Sequence, residues 1–98
     1  MTRDDVIGTL KDQADALRAQ GVIHVALIGS LARGDATADS DVDVLVEMDH
    51  DREISLIEHS RLRLFLCDIL DRDTDVVMRD ALKADVLKRL QRDEVPVF

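Results

Sequence analysis

Apolar residues fall three or four apart at the start of the chain, at Val6, Leu10, Ala14 and Leu17, so residues 3 to 20 are predicted to form an amphipathic helix that ends at Gly21. Thr2-x-x-Asp5 ahead of it resembles a capping box with Asp in place of Glu. The pattern then changes. Val22 to Ile28 is a short apolar run rich in β-branched residues and bounded by Gly21 and Gly29, the signature of a buried strand. From Asp41 to Glu47 the alternation is that of a second strand, with Val42, Val44 and Val46 on one face and Asp41, Asp43, Leu45 and Glu47 on the other. A helix is expected over 54–70, with Ile57, Leu62, Phe65, Leu66 and Ile69 inward and Glu58, Arg61 and Arg63 outward. Thr74 to Met78 reads as a short strand, Asp80 precedes a last helix over 81–92 with Leu82, Val86, Leu87 and Leu90 as its stripe, and Val95 to Phe98 is extended. This order predicts an α/β (α+β) domain, a small mixed β-sheet with helices packed on one face and the other face left for polar chemistry.

Two features carry chemistry. Gly29 ends the first strand where a glycine lets the backbone approach an anion, and Ser30 is expected to cap the helix turn begun by Leu31-Ala32-Arg33, so that backbone N–H groups and a hydroxyl converge on a triphosphate. Ten residues on, Asp41 and Asp43 project from a strand start with their Cβ atoms about 7 Å apart. Carboxylates so close repel, and hard divalent cations relieve the repulsion. Mg²⁺ is usually held by one or two carboxylates plus substrate phosphates, and two ions about 3.5–4 Å apart can clamp the attacking and leaving oxygens of an in-line displacement. A calcium loop is the rival reading, since Asp39, Asp41 and Asp43 fit its first, third and fifth positions; it fails because Val44 stands where glycine is needed and His50 where a bidentate Glu is needed. Asp75, at the start of the strand after the crossover helix, is either a third acid beside Asp41 and Asp43 or a plain turn residue.

Ninety-eight residues make one domain, 1–98, with room for one core and none for a separate substrate domain, so an acceptor must dock on the outside. The net charge of −8, and Phe65 and Phe98 as the only aromatics, leave neither a phosphate footprint nor stacking platforms, which argues against nucleic acid as a direct partner. The same charge suits a basic protein partner or simply solubility. The acidic amino terminus is unlike a signal peptide and no apolar run approaches the roughly 20 residues of a membrane span, so a cytoplasmic location is expected. The single Cys67 is expected to be a buried small hydrophobe, and His24, His50 and His59 lack zinc-ligand spacing.

Gly29-Ser30-Leu31-Ala32-Arg33-Gly34-Asp35, Ser40-Asp41-Val42-Asp43-Val44-Leu45-Val46, Thr74-Asp75-Val76-Val77 and the ending Val95-Pro96-Val97-Phe98 together resemble the minimal nucleotidyltransferase (MNT) family of the DNA polymerase β-like superfamily, over nearly the whole chain. Many members of that family are the antitoxin halves of HEPN/MNT toxin–antitoxin pairs. The resemblance implies that Asp41, Asp43 and Asp75 are the metal-binding catalytic acids, that Gly29 and Ser30 hold phosphates, and that ATP with two Mg²⁺ ions is the donor. It also implies AMP transfer to a tyrosine of a cognate HEPN-type ribonuclease toxin, with which the chain would form a hetero-oligomer. Arg33 sits where the family commonly has Arg, fitting a nucleotide contact or a surface salt bridge equally; Leu31 departs from the polar residue often found there. Arg79 and Lys83 follow Asp75 and fit a solvated face better than a phosphate contact. Two other functions stay open: a non-catalytic antitoxin that caps the toxin, and transfer to a small-molecule hydroxyl.

Overall fold

The computed structural model describes residues 2–37, 40–49 and 54–98; the calcium-loop positions Asp39 and His50 lie outside them. The chain runs α1 (Arg3–Asp12), α2 (Ala14–Ala19), β1 (Val22–Ile28), α3 (Gly29–Arg33), β2 (Val42–Met48), α4 (Leu56–Leu70), β3 (Thr74–Met78), a 3₁₀ turn (Arg79–Ala81), α5 (Ala84–Gln91) and β4 (Val95–Pro96). The sheet order is β3-β2-β1-β4, with β2 and β3 parallel and β1 antiparallel to both β2 and β4. It is the small mixed sheet that the pattern predicts.

The alternation in β2 decides which side is core. Val42, Val44, Val46 and Met48 join one apolar cluster with Val6 and Leu10 of α1, Leu17 of α2 and Leu62, Leu66 and Leu70 of α4, all buried. Leu45 points the other way, packing with Ala26 and Ile28 under Leu82, Leu87 and Leu90. A register irregularity between Val22 and His24 lets Val22, Val25 and Leu27 of β1 share the main core face although their spacing breaks the period of two. The second face is thus roofed in part by α5.

Three helix expectations shift. The amino-terminal helix is capped as expected, with Thr2 Oγ1 accepting from Asp5 N–H and Asp5 Oδ2 accepting from Thr2 N–H, but it breaks at Gln13 (φ −100°, ψ 12°). No Pro or Gly marks the break; α1 lies on α4 while α2 lies on β1, so each segment follows its own neighbour. α4 starts later than expected because Ser55 caps it through Glu58 N–H at 3.1 Å. Ile57, expected inward, is 66% exposed, with Leu56 at 81%, because it lies nine residues, or about two and a half turns, before Leu66 and so opposite the buried Leu62, Leu66 and Leu70. The last helix yields its first turn to the 3₁₀ turn and to extended Leu82 and Lys83, which carry the chain across the second sheet face.

Cys67 is half-buried and has a polar role that its apolar neighbours hide. Its sulfur accepts from Thr74 N–H at 3.3 Å and its S–H donates to Thr74 O at 3.7 Å, while the His59 ring Nε2 lies 3.3 Å from Val76 O. α4 thereby occupies backbone groups of the edge strand β3 that would otherwise recruit another strand.

Candidate active site

Strand register builds the site. Asp43 pairs with Ile28 of β1 on one side and with Asp75 of β3 on the other, so the two acids are direct neighbours across a parallel pair. Asp41 stands immediately before β2, two residues from Asp43 and hence on the same side. All three lie on the sheet face opposite the main core; Asp41 and Asp75 are exposed and Asp43 is half-buried.

Gly29 closes the site from the β1 side. Its φ of +73° belongs to the left-handed region, and a Cβ added there would lie 2.5 Å from Asp43 Oδ2. The turn backbone therefore rests against the carboxylate, and only glycine permits both the dihedral and the approach. The capping expectation for Ser30 needs correction: α3 begins at Gly29 with Ile28 as its N-cap and no side-chain cap, so Ser30 sits inside the first turn. A strand that runs straight into a helix supplies a cap residue from its own last position, and the serine hydroxyl is not used for it.

Arg33 is exposed and its Nε donates to Asp35 Oδ2 at 3.4 Å. The same guanidinium acts on Asp43, so the ion-pair reading and a place near the site coexist. Arg79 is directed elsewhere, its Nη2 lying 3.2 and 3.4 Å from the two carboxylate oxygens of Glu94, and Lys83 is an exposed residue ahead of α5.

Burial, then the charge of Asp75, then that of Asp41 raise the Asp43 pKa above the ordinary carboxylate value, and Arg33 offsets part of this. A raised folded-state pKa means that the stability Asp43 contributes is fully present below its unfolded value, near about 3.9, and is lost as pH rises through the folded value. At neutral pH the ionised group therefore opposes folding. Asp43→Asn is expected to unfold at a higher temperature than the parent in metal-free buffer at pH 7, with the advantage gone below about pH 4. An unchanged or lower Tm at pH 7 would contradict this electrostatic account.

Among the described residues no three His, Cys, Asp or Glu side chains converge into a ready-made cage. Mg²⁺ does not need one, because it keeps waters and takes the rest of its oxygens from substrate phosphates. The donor set here, carboxylates that repel one another beside a half-buried member with a raised pKa, fits such a hard cation.

Sequence reasoning missed Arg72. Its Nη2 donates to Ser40 O at 2.5 Å and to Thr37 O at 3.3 Å, backbone groups 32 and 35 residues earlier, and no local pattern announces a contact of that kind.

A model of the nucleotidyltransferase domain matches residues 10–97. The chain is 34% identical over 99 residues to the protein adenylyltransferase MntA of Thermococcus cleftensis, covering 99% of this chain and 97% of that one. A solved structure assigned as a minimal nucleotidyltransferase superposes with a TM-score of 0.82 at 29% identity, over 98% of this chain and 96% of its own. A tri-AMPylated HEPN toxin in complex with its MNT antitoxin, from Shewanella oneidensis, contains the same fold at a TM-score of 0.67 and 17% identity, covering 94% of this chain and 71% of that one. No helix among the described residues is long and apolar enough to cross a membrane.

Proposed function

This chain belongs to the nucleotidyltransferase domain family and is an enzyme of that class, and we propose that it is an antitoxin that transfers AMP from ATP to a tyrosine hydroxyl of a cognate HEPN-type toxin in the cytoplasm. The whole chain, 1–98, acts in this reading as one minimal domain. The observation that carries it is the lateral row in which Asp75, Asp43 and the Ile28–Gly29 turn are neighbours, so that acids and phosphate turn address one spot. The name of the Thermococcus relative supports AMP as the transferred group and protein as the acceptor. The AMPylated toxin of the Shewanella complex supports the partner.

In this mechanism the backbone of Gly29 and the hydroxyl of Ser30 hold the triphosphate, and Arg33 adds positive charge beside it. Asp41 and Asp43, with Asp75, would hold Mg²⁺, which when bound would supply neutralisation of charge on the α-phosphate. Asp75, exposed at the acceptor side, orients the tyrosine hydroxyl and takes its proton; an O–P bond forms to the α-phosphate, the bond to the β-phosphate breaks and pyrophosphate leaves. In this reading the acceptor hydroxyl is presented by the toxin at the exposed Asp41 and Asp75.

Catalysis outlasts contact, whereas capping does not. Brief incubation of a cognate toxin with substoichiometric protein, Mg²⁺ and ATP is expected to leave the toxin inactive after the antitoxin is removed, with its mass raised by one or more AMP groups. Asp75→Asn should prevent this while still binding the toxin. Inhibition that needs equimolar protein, ignores ATP and leaves the toxin mass unchanged would establish a cap, and AMP found only on a small hydroxylated molecule would establish the third reading.

A further inference from the structure

The segment that delivers Asp41 is tied down by a residue from the opposite side of the acid row. Arg72 follows Asp71, whose φ of +52° ends α4 in the left-handed conformation and redirects the chain. From there its guanidinium donates to Ser40 O and Thr37 O, as given above. The target is itself cross-linked: Ser40 N–H donates to Thr37 O at 3.1 Å, Thr37 N–H donates to Ser40 Oγ at 2.9 Å, and the two hydroxyls lie 3.2 Å apart. Arg72 is held in its turn, because Thr74 Oγ1 donates to Arg72 O at 3.2 Å and Thr74 is fully buried. One residue further on, Val42 N–H donates to Asp73 O at 2.9 Å. Arg72 and Asp73 therefore grip both sides of Asp41, at Ser40 and at Val42, and lead directly into the strand that carries Asp75. Asp41 itself is exposed, ahead of the β2 ladder, and among the described residues no hydrogen bond holds its side chain.

We propose that Arg72 is a positioning residue for the metal site: by fixing the backbone at Thr37 and Ser40 it sets where the Asp41 carboxylate stands relative to Asp43 and Asp75. The inference rests on the reading of Asp41 as a metal-binding acid. Both Arg72 bonds leave one nitrogen, Nη2, so a lysine could supply the charge and donors but not from the same position. Loss of the residues that orient metal ligands typically costs about 10–100-fold in metal affinity or activity.

The test uses Mn²⁺ as the probe, its binding to the full chain with a non-hydrolysable ATP analogue followed by the EPR signal of free Mn²⁺, which needs no turnover. Arg72→Ala is expected to weaken Mn²⁺ binding by about 10-fold or more, Arg72→Lys to restore part of it, and Arg72→Ala in an Asp41→Asn background to cost nothing further, because the arginine acts through Asp41. Circular dichroism of each variant checks the fold, and Arg72→Lys alone carries the test if Arg72→Ala does not fold. Parental affinity in Arg72→Ala with weakened affinity in Asp41→Asn overturns this proposal alone. An equal loss from Arg72→Ala in both backgrounds overturns it too, as a general structural effect. Parental affinity in Asp41→Asn overturns the metal reading beneath it, and this proposal with it.

Discussion

Replacing Asp41 and Asp43 together with Asn is expected to reduce AMP transfer by at least about 10³-fold, the scale seen when an electrostatic stabiliser of a transition state is removed, while the fold survives. The amides keep the shape of the carboxylates and lose the charge that a hard cation requires. Neither side chain supports the core: Asp41 is exposed, and Asp43 is half-buried on the face away from the main cluster. Transfer of labelled AMP to the toxin measures the loss. Thermal unfolding measures its cause, because a ligand at about 100 times its Kd stabilises the native state by about 2.7 kcal/mol, which in a domain of this size raises Tm by roughly 10–20 °C. The parent should show such a rise with Mg²⁺ and ATP and the double variant little of it. Equal stabilisation of both proteins would sink the assignment of these acids to the metal.

Gly29→Ala is expected to be nearly as damaging, with transfer down by more than about 10²-fold, and a second glycine separates the reasons. Gly29 and Gly34 have φ of +73° and +83°, so either substitution carries the strain of an L-residue in the left-handed region, about 1–2 kcal/mol. They differ in what the new methyl group meets. At Gly34 there is nothing within 4 Å, whereas at Gly29 the Cβ would lie 2.5 Å from Asp43 Oδ2 and must displace that carboxylate or the turn itself. Gly34→Ala should therefore lower Tm with transfer largely retained. On the proposed reading Ser30→Ala removes one hydrogen bond to a charged phosphate, worth about 1.5–3 kcal/mol, and should cost about 10- to 150-fold. If Gly29→Ala and Gly34→Ala lose the same activity, strain alone is responsible and the turn is not the phosphate site.

The sequence by itself determined the strands, the faces of β2 and the side of the sheet on which Asp41 and Asp43 stand. Those features are local: a period of two sends Val42, Val44 and Val46 to the core and Asp41 and Asp43 away from it whatever the rest of the chain does. It also determined the capping box at Thr2, because its partners are three residues apart. The Ser55 cap on Glu58 was equally legible, and so was the outward face of Ile57, which the helical period sets opposite Leu62, Leu66 and Leu70. Other features had no local signal. The break at Gln13, the path of Leu82 over the second face and the hold of Arg72 on Ser40 depend on neighbours far along the chain. Asp75 is the clearest case. As a residue it is indistinguishable from a turn aspartate, and only the parallel register of β3 with β2 sets it directly beside Asp43. Register is fixed by how whole faces bury against α4 and α5, a sum over long-range contacts that no short window of sequence contains.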